Sequence, residues 1–143
     1  MTADTATAIP LNTTDFSSGI SIVDGSKITF TNSGKYNIAF STQFRNAANG
    51  RRVATIWLSK NGILQANWIA ESATDVFLGT TVDTERSVAA WNFFVNASSG
   101  DYFVLMVVAD NSNVYLYGDA SDNTTSANIP QIPSTILTVN QVG

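Results

Sequence analysis

Residues 102–109, YFVLMVVA, restrict the fold more than any other segment of the chain. Ser98-Ser99-Gly100-Asp101 precedes them and Asp110-Asn111-Ser112-Asn113 follows, and both clusters are turn formers. An apolar run this short, bounded by turns and rich in valine and aromatic residues, suits a buried strand. As a strand it sends Tyr102, Val104, Met106 and Val108 to one face, and Phe103, Leu105, Val107 and Ala109 to the other. Both sets are apolar, whereas a strand half exposed on an antiparallel sheet alternates apolar with polar. Each face therefore needs a cover. One set packs inside a sandwich and the other awaits a neighbouring subunit. A one-residue register slip exchanges the two, so the choice of face stays open.

The rest of the chain has the same grammar. Turn residues recur at Asp24-Gly25, Asn32 to Gly34, Asn49-Gly50, Asn61-Gly62 and Gly118-Asp119, separated by runs rich in Val, Ile, Thr, Phe, Tyr and Trp. Strands are predicted near residues 5–11, 19–23, 27–31, 35–46, 52–59, 63–69, 76–81, 87–96, 101–109, 113–117 and 134–142. No stretch holds a helical period beyond a single turn's worth at Asp83 to Val88. Many short strands at regular spacing make an all-β sandwich or barrel.

The predicted strands differ in their faces. In 34–45, Tyr36, Ile38, Phe40 and Phe44 share one face, while Lys35, Asn37, Ser41, Gln43 and Arg45 share the other. That strand is core on one side and polar on the other. In 51–59 and 87–96 both faces carry apolar residues: Ala54, Ile56 and Leu58 against Val53 and Trp57, and Trp91, Phe93 and Val95 against Val88 and Phe94. This is more apolar surface than one small sandwich core hides. Each large side chain left wet forgoes about 1.5–3 kcal/mol, so several together predict an interface between subunits. That reading stands ahead of the alternative, a thick single-chain sandwich whose edges and loops cover the excess.

With 143 residues the chain suits one domain. It contains no cysteine and no histidine, which removes disulfides, thiolate or imidazole metal sites, and Ser-His or Cys-His nucleophile pairs. The net charge is -4 and the pI about 4.4, so neither nucleic acid nor an anionic membrane is an expected partner. The first fifteen residues, MTADTATAIPLNTTD, lack the basic and apolar regions of a signal peptide. No apolar run approaches the roughly 18 residues of a membrane span. A chain made in a reducing cytosol is expected.

Candidate chemistry is sparse. Asp83 and Glu85 lie two apart beside Arg86, but paired carboxylates act on sugars only across a cleft of defined width, and loop carboxylates are common. No enzymatic activity and no cofactor is expected. Asp110 to Asn113 and Asp119 to Asn123 cluster oxygen ligands that calcium accepts, yet Asx turns account for both without a metal. Arg51 and Arg52 sit together at a hairpin end, with Arg45 placed to lie across it; these three form the candidate contact with an acidic partner surface. Trp68, in ILQANWIAES, is the candidate binding platform, against the more common fate of a strand tryptophan in the core.

The order of motifs resembles a known family. Gly34-Lys35-Tyr36-Asn37-Ile38 resembles the G-x-Y-x-hydrophobic strand of C1q/TNF-like jelly rolls. Leu58-Ser59-Lys60-Asn61-Gly62 is similar to their L-x-K-N-G turn, and Gly100-Asp101-Tyr102-Phe103-Val104-Leu105 to their G-D-x-hydrophobic strand. SKITFTNSGKYNIAFSTQF (26–44), AAWNFFVNASSGDYFVLMV (89–107) and IPSTILTVNQV (132–142) resemble pieces of such modules in tailed-phage structural proteins. Collagen-like and F-x-G-x-x-L segments of animal C1q domains have no counterpart here.

The resemblance implies a two-sheet antiparallel jelly-roll sandwich over residues 19–143, forming a compact homotrimer, with residues 1–18 as an arm ordered on docking. It implies that the G-D strand and the last strand share the inner sheet that faces neighbouring subunits. The interface would then include Trp91, Phe93, Tyr102, Phe103, Val104, Leu105, Met106, Val107, Leu137 and Val139. The implied function is a decoration, or cement, protein on the outer surface of a phage capsid, made in the host bacterial cytoplasm, whose partners are its own copies and the major capsid protein lattice. The alternative is the receptor-binding knob of a tail or capsid fibre, held by an anchor protein and recognising a host glycan or protein through the 118–128 loop.

Overall fold

The structure, a computed structural model, describes residues 1–79, 85–119 and 130–143. These residues form ten strands and no α-helix: β1 (Thr7–Ala8), β2 (Ile20–Val23), β3 (Lys27–Phe30), β4 (Gly34–Asn46), β5 (Arg52–Lys60), β6 (Thr74–Leu78), β7 (Glu85–Ala97), β8 (Tyr102–Ala109), β9 (Val114–Leu116) and β10 (Thr135–Gln141). The first sheet runs β2-β3-β8-β5-β6, with β1 also on β8; the second runs β10-β4-β7, with β9 also on β4. All the pairings are antiparallel. The protein is an all-β sandwich.

The alternation in β4 sets the second sheet. Tyr36, Ile38, Phe40, Thr42 and Phe44 are buried, and β7 pairs along the whole strand from Gly34 opposite Ala97 to Asn46 opposite Glu85. Residues directly opposite point the same way, so Ala89, Trp91, Phe93 and Val95 join the buried face. On the other side, β10 adds Leu137 opposite Phe40 and Val139 opposite Ile38. Ile28, Phe30, Ile56, Leu58, Phe103, Leu105 and Val107 meet them from the first sheet in one core. Phe30 touches Tyr36 at 4.4 Å between ring centroids and Phe103 edge-on at 5.7 Å, while Trp91 meets Phe40 at 4.8 Å.

Two of the sequence motifs turn out to be one cluster. Asn61 Nδ2 donates to Asp101 Oδ1 at 2.8 Å, and Asn61 Oδ1 accepts from the Tyr102 amide at 3.0 Å. Lys60 Nζ lies 2.7 Å from Asp101 Oδ2, which also accepts from the Ser98 amide. The Asn61 amide, the Lys60 ammonium and the Ser98 N–H hold the Asp101 carboxyl down at about 2, against an ordinary 3.8. The K-N-G and G-D turns thus pin the ends of neighbouring strands β5 and β8 together. Glycine is required at position 34, where a Cβ would stand 2.5 Å from Gln141 Nε2 and 2.9 Å from the Gly143 oxygen.

The structure corrects several expectations. Residues 63–69 are not a strand; they fold back as a loop with a 3₁₀ turn at Gln65–Asn67. Local side-chain bonds compete with sheet pairing there: Ser59 Oγ donates to the Gly62 and Asn67 carbonyls, and Asn67 Nδ2 to the Asn61 carbonyl. The helical turn at Asp83 to Val88 gives way to strand from Glu85, with Asp83 and Thr84 outside the described residues.

The arm expected over residues 1–18 is divided. Its first eleven residues belong to the sandwich: Ile9 is fully buried, Leu11 nearly so, and the Asp4 and Ile9 amides donate to Ala109 and Leu105. The reason is a gap. β3 pairs with β8 only at Ile28 and Thr29, so the rest of that edge of β8 is open for the N-terminal segment. Finally, β8 and β10 lie in different sheets, β8 at the centre of the first and β10 at the edge of the second.

Candidate functional site

Both faces of β8 are covered by the chain itself. Phe103, Leu105, Val107 and Ala109 fill the core between the sheets. On the opposite face, Val104 and Met106 are 0% and 1% exposed. Trp57 and Ala8 stand directly opposite Met106 on its two sides, and Tyr102 and Val108 close the cluster. Trp57 is capped in turn by Trp68, whose ring meets it at 4.8 Å and 63°. The 61–73 loop that carries Trp68 is tied to the sheet. Trp68 Nε1 donates to the Ile63 carbonyl, the Ile69 amide to the Leu58 carbonyl, and Ser72 Oγ accepts from the Leu58 amide. Glu71 in this loop has φ 63°, a conformation that costs a long side chain about 1–2 kcal/mol, so the anchors impose its path.

This corrects the interface residues expected on β8. Phe103, Val104, Leu105, Met106 and Val107 are at most 1% exposed in the single chain and have no surface to offer a neighbour. Tyr102 is half-buried with Lys27 Nζ 5.3 Å from its ring centroid. Trp91, Phe93, Leu137 and Val139 pack against the core, half-buried on the inward side of the second sheet.

Among the described residues, nothing covers the outward side of that second sheet. Its rows follow from the register: Gln43 beside Val88; Ser41 between Ala90 and Ile136; Ala39 between Asn92 and Thr138; Asn37 between Phe94 and Asn140. No charged residue occupies these rows. Val88, Phe94 and Ile136 are 64%, 73% and 57% exposed around the small residues Ala39, Ser41 and Ala90. A cleft of about 170 Å³ opens beside Ile136, between Ser41 and Thr138. Across the sheet, Asn92 Nδ2 donates to Asn37 Oδ1 at 2.7 Å and Asn37 Nδ2 to Asn140 Oδ1 at 3.2 Å. Sequence reading took the β4 share of this face as polar surface. The register that sets it beside Phe94 and Ile136 is a tertiary fact.

The arginines gather at one end of the sandwich. Arg45 is directly opposite Arg86, and each guanidinium lies over a tyrosine: Arg45 at 5.8 Å from the Tyr115 centroid, Arg86 at 4.1 Å from that of Tyr117. Asn46 Nδ2 donates to the Gly50 carbonyl and ties the Arg51-Arg52 turn to the same end. Arg52 donates to the Asn49 and Arg51 carbonyls, and Arg51 is exposed. The predicted Arg45, Arg51 and Arg52 thus lie toward one end of the sandwich, and Arg86, which sequence reading missed, stands beside Arg45 through strand pairing. The three lysines sit toward the opposite end, where Lys27 pairs with Asp24 and Lys60 with Asp101.

Of the oxygen-rich stretches, Asn111 Oδ1 accepts from the Asn113 amide at 2.9 Å, an Asx turn. Tyr117 OH donates to Asp119 Oδ2, and residues 120–129, including most of the 118–128 loop, lie outside the described residues. Asp83 also lies outside them. Among the described residues no group of three or more acidic side chains is placed to hold a metal ion. No family model and no curated protein matches this chain.

Proposed function

We propose that the chain is a non-enzymatic virion structural protein, a C1q/TNF-like jelly-roll module that trimerises and decorates the outside of a phage capsid as a cement protein. The observation that carries the assembly step is the outward face of the β10-β4-β7 sheet. It is uncharged over four rows and carries exposed Val88, Phe94 and Ile136 around small residues. Burying such a face between copies removes apolar area from water with no charge to desolvate. Sheets pack face to face at about 10 Å, a spacing that small central residues favour. The phage setting rests on the resemblance of residues 26–44, 89–107 and 132–142 to phage modules.

In this reading the arginine end, with Arg51 exposed and Arg45, Arg52 and Arg86 beside it, contacts the capsid lattice. Binding only the assembled lattice stabilises that lattice by mass action. Light scattering at micromolar concentration is expected to give the mass of three chains, and a clean monomer would sink the trimer. Purified protein added to undecorated capsids is expected to occupy stoichiometric lattice sites and raise their disruption temperature. Replacing Arg51 and Arg52 by glutamate is expected to abolish that binding with the trimer intact.

A second reading, the receptor-binding knob, is favoured by the exposed edge of Trp68 beside a depression in the first sheet. Binding to host cells without binding to capsids would select it.

A further inference from the structure

We infer that the depression on the outer face of the first sheet is a binding site for an alkylated ammonium group. It lies on the other side of the sandwich from the assembly face, and it stands whether or not the trimer and capsid readings hold. Its volume is about 420 Å³, within the range of small-ligand sites. Four stretches of chain converge on it: the N-terminal segment with Asp4 and Ala6, β5 with Thr55 and Trp57, β8 with Val108, and the loop with Trp68.

The chemistry of the lining selects the ligand. The two indole planes cross at 63°, Trp68 partly exposed over the buried Trp57, and the loop anchors hold this pair in place before anything binds. Indole is the strongest aromatic partner for a cation. The aliphatic wall, Ala6 and Val108 among others, suits alkyl groups rather than a hydrated ammonium such as that of lysine. The polar groups are acceptors. Asp4 lines the site with an exposed carboxylate, and Thr55 Oγ1 has already given its proton to Asp75 Oδ1 at 2.6 Å. Trp68 Nε1–H is held by the Ile63 carbonyl, and Trp57 Nε1 is shut away from solvent.

Among the described residues, therefore, no side-chain donor faces the ligand and no cationic residue lines the site. An anion meets the Asp4 charge and no cation among these lining residues. A sugar brings hydroxyl oxygens that would find no side-chain donor, and leaving polar groups unpaired costs binding. A cation with alkyl substituents matches all three features at once: the exposed indole of Trp68, the methyl-lined wall and the negative charge.

The test uses the full chain and choline as probe, read by proton–nitrogen correlation spectra of its three indole N–H groups, Trp57, Trp68 and Trp91. Saturable shifts are expected at Trp57 and Trp68, with Trp91 in the second sheet unmoved. Trp68→Ala is expected to weaken binding about fivefold. Asp4→Asn, at an exposed position that leaves the fold intact, is expected to weaken it about threefold. Dimethylbutanol, the uncharged isostere of choline, is expected to bind less tightly than choline. Equal binding of the two would overturn the proposal, showing an apolar hollow only. So would the absence of saturable shifts, or a response to methyl glucoside in place of choline.

Discussion

The two outward faces of the sandwich solve opposite problems. On the first sheet, Trp57, Val104 and Met106 point away from the core and are nonetheless buried, because residues of the N-terminal segment and the 61–73 loop lie over and beside them. On the second sheet, Val88, Phe94 and Ile136 point outward, and none of the described residues covers them. The more apolar strand, β8, is the one that needs no partner. A two-faced apolar strand announces that a cover exists and does not say whether it comes from the same chain. The uncovered patch arises from three strands, each contributing alternate residues that alone attract no notice.

The largest test of this contrast removes side chains from the two faces of β8. Phe103→Ala, in the core, is expected to cost about 3–5 kcal/mol, and Met106→Ala, on the outward face, about 2–5 kcal/mol. Urea unfolding at several protein concentrations reads both. The cost at Met106 should not change with concentration; a cost that appears only where chains associate would make β8 an intersubunit strand and erase the contrast.

A smaller effect is expected at Asp101, which ties the ends of β5 and β8. Its folded-state pKa lies below its ordinary value, so its contribution is full above pH 3.8 and is lost as pH falls toward about 2. Wild type is expected to exceed Asp101→Asn by about 1 kcal/mol near neutrality, allowing for solvent screening at this surface pair. The gap should close through that acid window in denaturant titrations. A constant gap at all pH values would assign the effect to packing instead.

The smallest effect on folding is expected at Phe94. Phe94→Ser should change the stability of the single chain by no more than about 0.5 kcal/mol, the ordinary cost at an exposed site. The same substitution should lower the assembled mass seen by light scattering. Loss of several kcal/mol in the monomer would show that Phe94 is covered after all.

Most of the strands were legible because their periodicity is a local property. The alternation from Tyr36 to Phe44 needs nothing beyond neighbours in sequence to specify one buried face. Residues 63–69 misled for the converse reason. ILQANWI has strand-like composition, but hydrogen bonds from Ser59, Asn67 and Ser72 to nearby backbone hold it as a loop. The start of the chain misled differently. Residues 5–11 read as one strand, and only two of them pair as β1, while Ile9 and Leu11 enter the core from an irregular segment.

For the candidate site, Trp68 and the Arg45, Arg51 and Arg52 group were named by residue type, which sequence displays directly. Arg86 was not, because its membership depends on being opposite Arg45 across β4 and β7. The same dependence hid the second-sheet face, whose rows exist only after β7 and β10 choose their register on β4.

The sequence by itself determined that the chain is all-β, that β4 has a buried face, that β8 must be covered on both sides, and that chemistry needing histidine or cysteine is absent. Turn residues and side-chain alternation act over a few positions, so they are written locally. Only the tertiary structure decided what covers β8 and what is left open. Those answers depend on which distant segments lie side by side: Trp68 over Trp57, Ala8 beside Met106, Phe94 and Asn140 flanking Asn37. Strand pairing and loop docking make such neighbours, and neither is fixed by any one stretch of chain.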